Sequence, residues 1–163
     1  CDWSSDVCSS DLGDAPMNTP RMFAAVIVGI LVAYGLPLQL EGVLVRSFAG
    51  RNLYTAGDYF MTRNTATLLA ARIVITAVTS LLAGYMAARI ARTDGVRVVA
   101  ISAAALTMML IYDFTKGEFA WGTPIWLRVV LILLTGPVML GGAAIRSQAA
   151  SLTAAEPPPT SGT

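Results

Sequence analysis

The sequence predicts an all-α integral membrane protein, a bundle of four transmembrane helices. Three observations carry that expectation. Four segments are apolar over close to the ~20 residues needed to cross a hydrocarbon core. Charged residues gather in the connections between them. Of the open-ended elements, only a helix satisfies its own backbone groups in lipid.

The first span is MFAAVIVGILVAYGLPLQL, residues 22–40. Arg21 precedes it, but its apolar run exceeds the ~7–15 residues of a signal-peptide core, so it reads as a retained helix. The second covers 67–90 and contains IVITAVTSLLAGYMAARI. The third, VVAISAAALTMMLIY at 98–112, is short, and Phe114 can extend it. The fourth is IWLRVVLILLTGPVMLGGAAI, 125–145. Asp94-Gly95 is a turn signal that makes the second and third helices antiparallel neighbours. Pro124 suits the first turn of the fourth. The long first connection, 41–66, mixes Phe48, Tyr54, Tyr59 and Phe60 with Arg46, Arg51, Asp58 and Arg63. It fits either a segment lying along the membrane surface or a solvated loop. The tail, 147–163, is polar with three consecutive prolines and is expected to be disordered.

The first twelve residues, CDWSSDVCSSDL, stand apart. They are acidic and Ser-rich, and they resemble the translation of a sequencing-library adapter. Asp2 to Asp11 follow the adapter codon for codon, and its incomplete last codon, CT, is leucine whatever the third base. They are set aside from fold reasoning as an artefact. Residues 13–21 are then an N-terminal segment with Met17 as the expected initiator, and 22–146 form the membrane domain.

Setting 1–12 aside changes the chemistry. Both cysteines and Asp2, Asp6 and Asp11 fall in this stretch, leaving seven acidic residues against eleven basic ones. No histidine occurs anywhere. A disulfide framework, a thiolate nucleophile, a histidine-based triad and an N/S-ligated zinc site are therefore not expected. No cofactor is expected. The basic residues are isolated between apolar runs, unlike the patches of a nucleic-acid binder.

Orientation follows the excess of Lys and Arg in short cytoplasmic loops. Arg89, Arg92 and Arg97 crowd the tightest loop, with Arg21 and Arg146 on the same side. Both termini are therefore expected in the cytoplasm. Tyr112, Phe119, Trp121 and Trp126 would form an aromatic belt at the opposite face.

Ionisable residues within spans are candidate functional groups. Glu41 ends the first helix, Arg72 lies near the start of the second, Asp113 ends the third and Arg128 lies near the start of the fourth. Because consecutive helices alternate direction, all four fall at one end of the bundle, with balanced charge. The structural reading is two interhelix ion pairs, Arg72 with Asp113 the one singled out. The functional reading is a polar pocket that binds an anion or lipid headgroup through the arginine forks. Catalysis by the carboxylates is disfavoured, because nothing marks a substrate or metal.

Gly35 with Pro37, and Gly136 with Pro137, are candidate helix breaks. Interrupted helices mark binding sites in transporters, but Gly and Pro are also common in ordinary membrane helices. Ser80, Gly84 and Ala88 form a small-residue stripe that permits close helix approach. The third span, with Ala100, Ala103, Ala104 and Ala105, is its natural neighbour.

LAGYMAARIAR closing the second span and GPVMLGGAAIRS closing the fourth resemble small, uncharacterised four-helix inner-membrane proteins of bacteria. The resemblance covers roughly residues 20–147. It implies a multi-pass inner-membrane protein and carries over no activity or site residue. The expected function is a non-catalytic accessory or interaction subunit whose partners are the lipid bilayer and a membrane protein or further copies of itself. The alternative is a small transporter or channel with its polar site at the periplasmic end. Small multidrug exporters also have four helices but use a carboxylate buried in the first, and here none precedes Glu41. A membrane enzyme is the least supported reading.

Overall fold

A computed structural model of the chain describes residues 19–49, 55–91, 95–116 and 122–154. Among these residues every regular element is helical. Helix α1 spans Thr19–Ala49, and a short α2 follows at Ala56–Arg63. α3 spans Ala66–Ala91, α4 Gly95–Thr115 and α5 Ile125–Ala154. α1, α3, α4 and α5 are each long and apolar enough to cross a membrane. The protein is a multi-pass, all-α membrane bundle.

Each span extends beyond its strictly apolar stretch, because helix-forming residues continue into the polar edges. The largest correction concerns the tail, part of which had been expected to be disordered. α5 continues to Ala154, through Ala, Gln and Leu, which favour a helix. Residues 155–163 and the stretch 1–18 lie outside the described residues.

The bundle is small inside and large outside. Ala25, Ala83, Ala87, Val99 and Ala103 are buried, while Leu31, Met108 and Leu133 are more than 60% exposed. In a membrane this arrangement is expected: lipid tails solvate large apolar side chains, and helices gain by close backbone approach.

The closest approach joins α3 to α5. A Cβ on Gly84 would lie 1.9 Å from the Met139 carbonyl oxygen, and one on Gly142 would lie 2.2 Å from that of Leu81. The Ser80/Gly84/Ala88 stripe is buried, but Gly84 at its centre faces α5 rather than the third span. Of the four alanines expected to meet the stripe, Ala103 is buried while Ala100 and Ala104 are exposed. α4 still packs against α3, lower down, where Gly95 abuts Ala88.

The proposed helix breaks behave differently from one another. α1 passes through Gly35 and Pro37 by opening into a π-helical turn over Leu31–Gly35. α5 runs uninterrupted through Gly136 and Pro137. The first connection holds α2, opened by a reciprocal capping box: Asp58 N donates to Thr55 Oγ1 at 3.2 Å, and Thr55 N donates to Asp58 Oδ2 at 3.0 Å. α2 is tied to the start of α5. Asn64 Nδ2 donates to the Gly122 carbonyl at 2.8 Å, and a Cβ at Gly122 would strike the Phe60 ring. Tyr112 and Trp126 are exposed at this same end, while Phe119 and Trp121 lie outside the described residues.

Candidate polar site at one end of the bundle

The π turn in α1 has a chemical cause. Proline has no N–H, so Pro37 cannot close the α-helical bond to the Ala33 carbonyl and its ring crowds the preceding turn. A single wide turn relieves that crowding, and such π segments recur at functional sites. It lies beside Tyr34, which reaches across to α4, where its hydroxyl donates to Asp113 Oδ2.

Two turns further along α1 is Glu41, buried in the bundle. Both of its carboxylate oxygens are engaged. Arg63 Nε, from the end of α2, donates to Oε1, and Arg72 Nε, from α3, lies 3.1 Å from Oε2. Removing one member of such a buried group strands the others, at a cost of about 3–5 kcal/mol. Arg63 is only 2% exposed, with its guanidinium carbon 5.9 Å from the centre of the Phe60 ring, within cation–π range. Arg72 keeps a further donor, Nη1, that is buried and has no hydrogen-bond acceptor.

The four candidate residues therefore part company. Arg72 turns to Glu41 and not to Asp113, so the expected Arg72–Asp113 ion pair does not form. Asp113 is held by a tyrosine instead. Arg128 serves the backbone: its Nε donates to the Thr123 carbonyl at 2.8 Å and its Nη1 to the Phe114 carbonyl at 3.0 Å. This satisfies a carbonyl at the C-terminal end of α4, where a cation is also favoured by the helix dipole.

Glu41, Arg72 and Asp113 nevertheless face one cavity, together with Tyr34, Thr76 and Thr135. It offers about 50 Å³ to the centres of water molecules, room for a few waters. On the far side of the ion pairs is a gap of about 10 Å³, at most a single water. Among the described residues that line it, two carboxylates, Glu41 and Asp113, stand with one guanidinium, Arg72. Among the described residues, no three His, Cys, Asp or Glu side chains lie close enough to hold a metal ion.

Arg63 and Tyr34 escaped sequence reasoning. Arg63 was one of several basic residues in an amphipathic loop, although the Thr55-x-x-Asp58 capping box signals a helix that would end near it. Tyr34 was one aromatic in an apolar span. Its place one turn before Pro37 was the available signal.

The chain matches no protein family, no curated protein and no solved structure. The site must therefore be interpreted on its own chemistry.

Proposed function

We propose that this membrane protein is non-catalytic and acts as an accessory or interaction subunit, through a membrane partner or further copies of itself. The host membrane in this reading is the bacterial inner membrane, with both termini in the cytoplasm and the polar end of the bundle on the periplasmic side. The observation that carries the reading is the saturation of Glu41. A carboxylate gripped through both oxygens by two arginines from different helices joins those helices.

The test is to express the chain from Met17 in a bacterial membrane, purify it in mild detergent and identify by mass spectrometry what travels with it. A stoichiometric membrane partner or a defined oligomer is expected. A lone monomer would overturn the interaction reading. Orientation is tested separately, since the chain from Met17 has no cysteine. In intact cells an impermeant maleimide should label Lys116→Cys and spare Ala150→Cys.

The small-transporter reading has one observation in its favour, the cavity beside the π turn, because irregular backbone at membrane depth is tolerated where it lines a cavity. Solute flux in proteoliposomes that disappears in Glu41→Gln, with the fold intact, would favour it over the first.

A further inference from the structure

We propose that α2 is a lid on the polar end of the bundle, latched by Arg63 on Glu41, and that its opening sets solvent access to the space beneath it. The inference concerns access alone and holds or fails whether the protein is a subunit or a transporter.

Position is the first argument. α2 lies between α1 and α3 in the chain and turns its last residue inward, so that Arg63 is buried against Glu41. Beneath it is the gap of about 10 Å³, walled by Arg63 itself, by Leu44 and Val45 of α1, and by Leu68 and Ile75 of α3. The larger cavity shares Pro37, Glu41 and Arg72 with this gap. The two spaces thus adjoin the Glu41–Arg72 pair, and α2 closes the smaller one. Lifting α2 would open that gap to water and to solutes of similar size.

Attachment is the second argument. α2 has eight residues, too few for a helix to be stable by itself in water, so it depends on its capping box and on docking. At its edge Asn64 Nδ2 donates to the Gly122 carbonyl at 2.8 Å, and the Phe60 ring abuts Gly122. The Asn64 bond is exposed, so water can replace it at little cost. Short elements held through exposed bonds open at lower free energy than the core does. The core here is the α3–α5 seam, where backbones touch at Gly84.

The third argument is the chemistry of the latch. Glu41 offers one oxygen to Arg63 and the other to Arg72. Arg63 ends a short helix at the end of the bundle, whereas Arg72 is the seventh residue of the 26-residue α3. When α2 lifts, Arg63 moves into water and Glu41 keeps Arg72. A neutral pair then remains, and Glu41 is not left as a lone buried charge. The latch can therefore release without undoing the contact between α1 and α3.

The test measures cysteine accessibility in the full chain, with Cys1 and Cys8 replaced by serine, purified in a non-ionic maltoside detergent. The reporter is Val45→Cys, close in size to the parent residue and 0% exposed beneath α2. Leu68→Cys, on the opposite wall of the gap, serves if Val45→Cys does not fold. Labelling by the water-soluble 2-sulfonatoethyl methanethiosulfonate should be slow in this background. Asn64→Ala, which frees the edge of α2 without touching Glu41, should speed it about fivefold, the equivalent of one ordinary hydrogen bond. Arg63→Gln, which removes the charged latch, should speed it about tenfold or more. Val99→Cys, 0% exposed in the core, should remain protected in both variants. Reporter rates unchanged by both variants would overturn the proposal. So would a reporter that labels as fast as the exposed Ser47→Cys before either change, or equal acceleration at Val99→Cys, which marks loosening of the whole bundle.

Discussion

The two ends of this bundle are built on opposite plans. At one end α3 and α5 meet backbone to backbone, with Gly84 against Met139 and Gly142 against Leu81, and Ala83, Ala87 and Ala143 fill the seam. At the other, the helices are held apart by Tyr34, Glu41, Arg72 and Asp113 around a cavity. The seam at the first end is tight and apolar. The second is charged and loosely filled. Glycine contact supplies rigidity in lipid, where no hydrophobic driving force presses helices together. A bundle clamped firmly at one end can tolerate a polar opening at the other.

The sharpest way to break this contrast is at the tight end. Gly84→Leu places a branched side chain where even a Cβ would lie within 2.8 Å of the Met139 carbonyl carbon. The helices must separate, and no cooperative melt of the bundle is expected by circular dichroism in detergent. A melt like that of the parent would show that the α3–α5 seam is not where stability lies.

At the polar end the largest effect should come from Glu41→Ala, which strands two buried arginines at a cost of about 3–5 kcal/mol. A double-mutant cycle between Glu41→Ala and Arg72→Ala should show coupling of about 1–3 kcal/mol, whereas one between Arg72→Ala and Asp113→Ala, which share a cavity but no bond, should show a smaller coupling, near ~0.5 kcal/mol. Coupling in the second cycle and none in the first would reverse the pairing described above.

Tyr34→Phe should cost less, about 1–2 kcal/mol, because it removes one hydrogen bond to a charged group. An unchanged melt would mean that Asp113 finds another donor. The smallest effect is expected at Gly136, where a Cβ would meet nothing within 4 Å. Gly136→Ala should leave stability unchanged or raise it by about 0.5–1 kcal/mol, through helix propensity alone. Set beside Gly84, it separates a glycine needed for contact from one that is not.

Much of this molecule was legible in the sequence, but unevenly. The four spans stand out because apolar length is a property of the chain itself. That Glu41, Arg72 and Asp113 meet at one end follows from helix alternation, and they do line one cavity there. Their pairing was not legible: the expected Arg72–Asp113 contact gave way to Arg72–Glu41. Arg63 is the clearest omission. It belongs to a connection that reads as surface, yet α2 carries it into the interior to complete the grip on Glu41. The partner of the small-residue stripe was likewise misassigned, since chain proximity favoured α4 while Gly84 faces α5.

By itself the sequence determined where the four spans lie, that they are long and apolar enough to cross a membrane, and which end collects Glu41, Arg72 and Asp113. All of these depend on composition and on position along the chain. Tertiary structure alone decided which helix faces which, and therefore which carboxylate each arginine finds. The reason lies in the spans themselves. Each residue turns a helix by about 100°, and a helix that is apolar all round carries almost no pattern to say which face turns inward. Close contact at Gly84 and Gly142 fixes which faces of α3 and α5 meet, and the Glu41 pairs join α1 to α2 and α3.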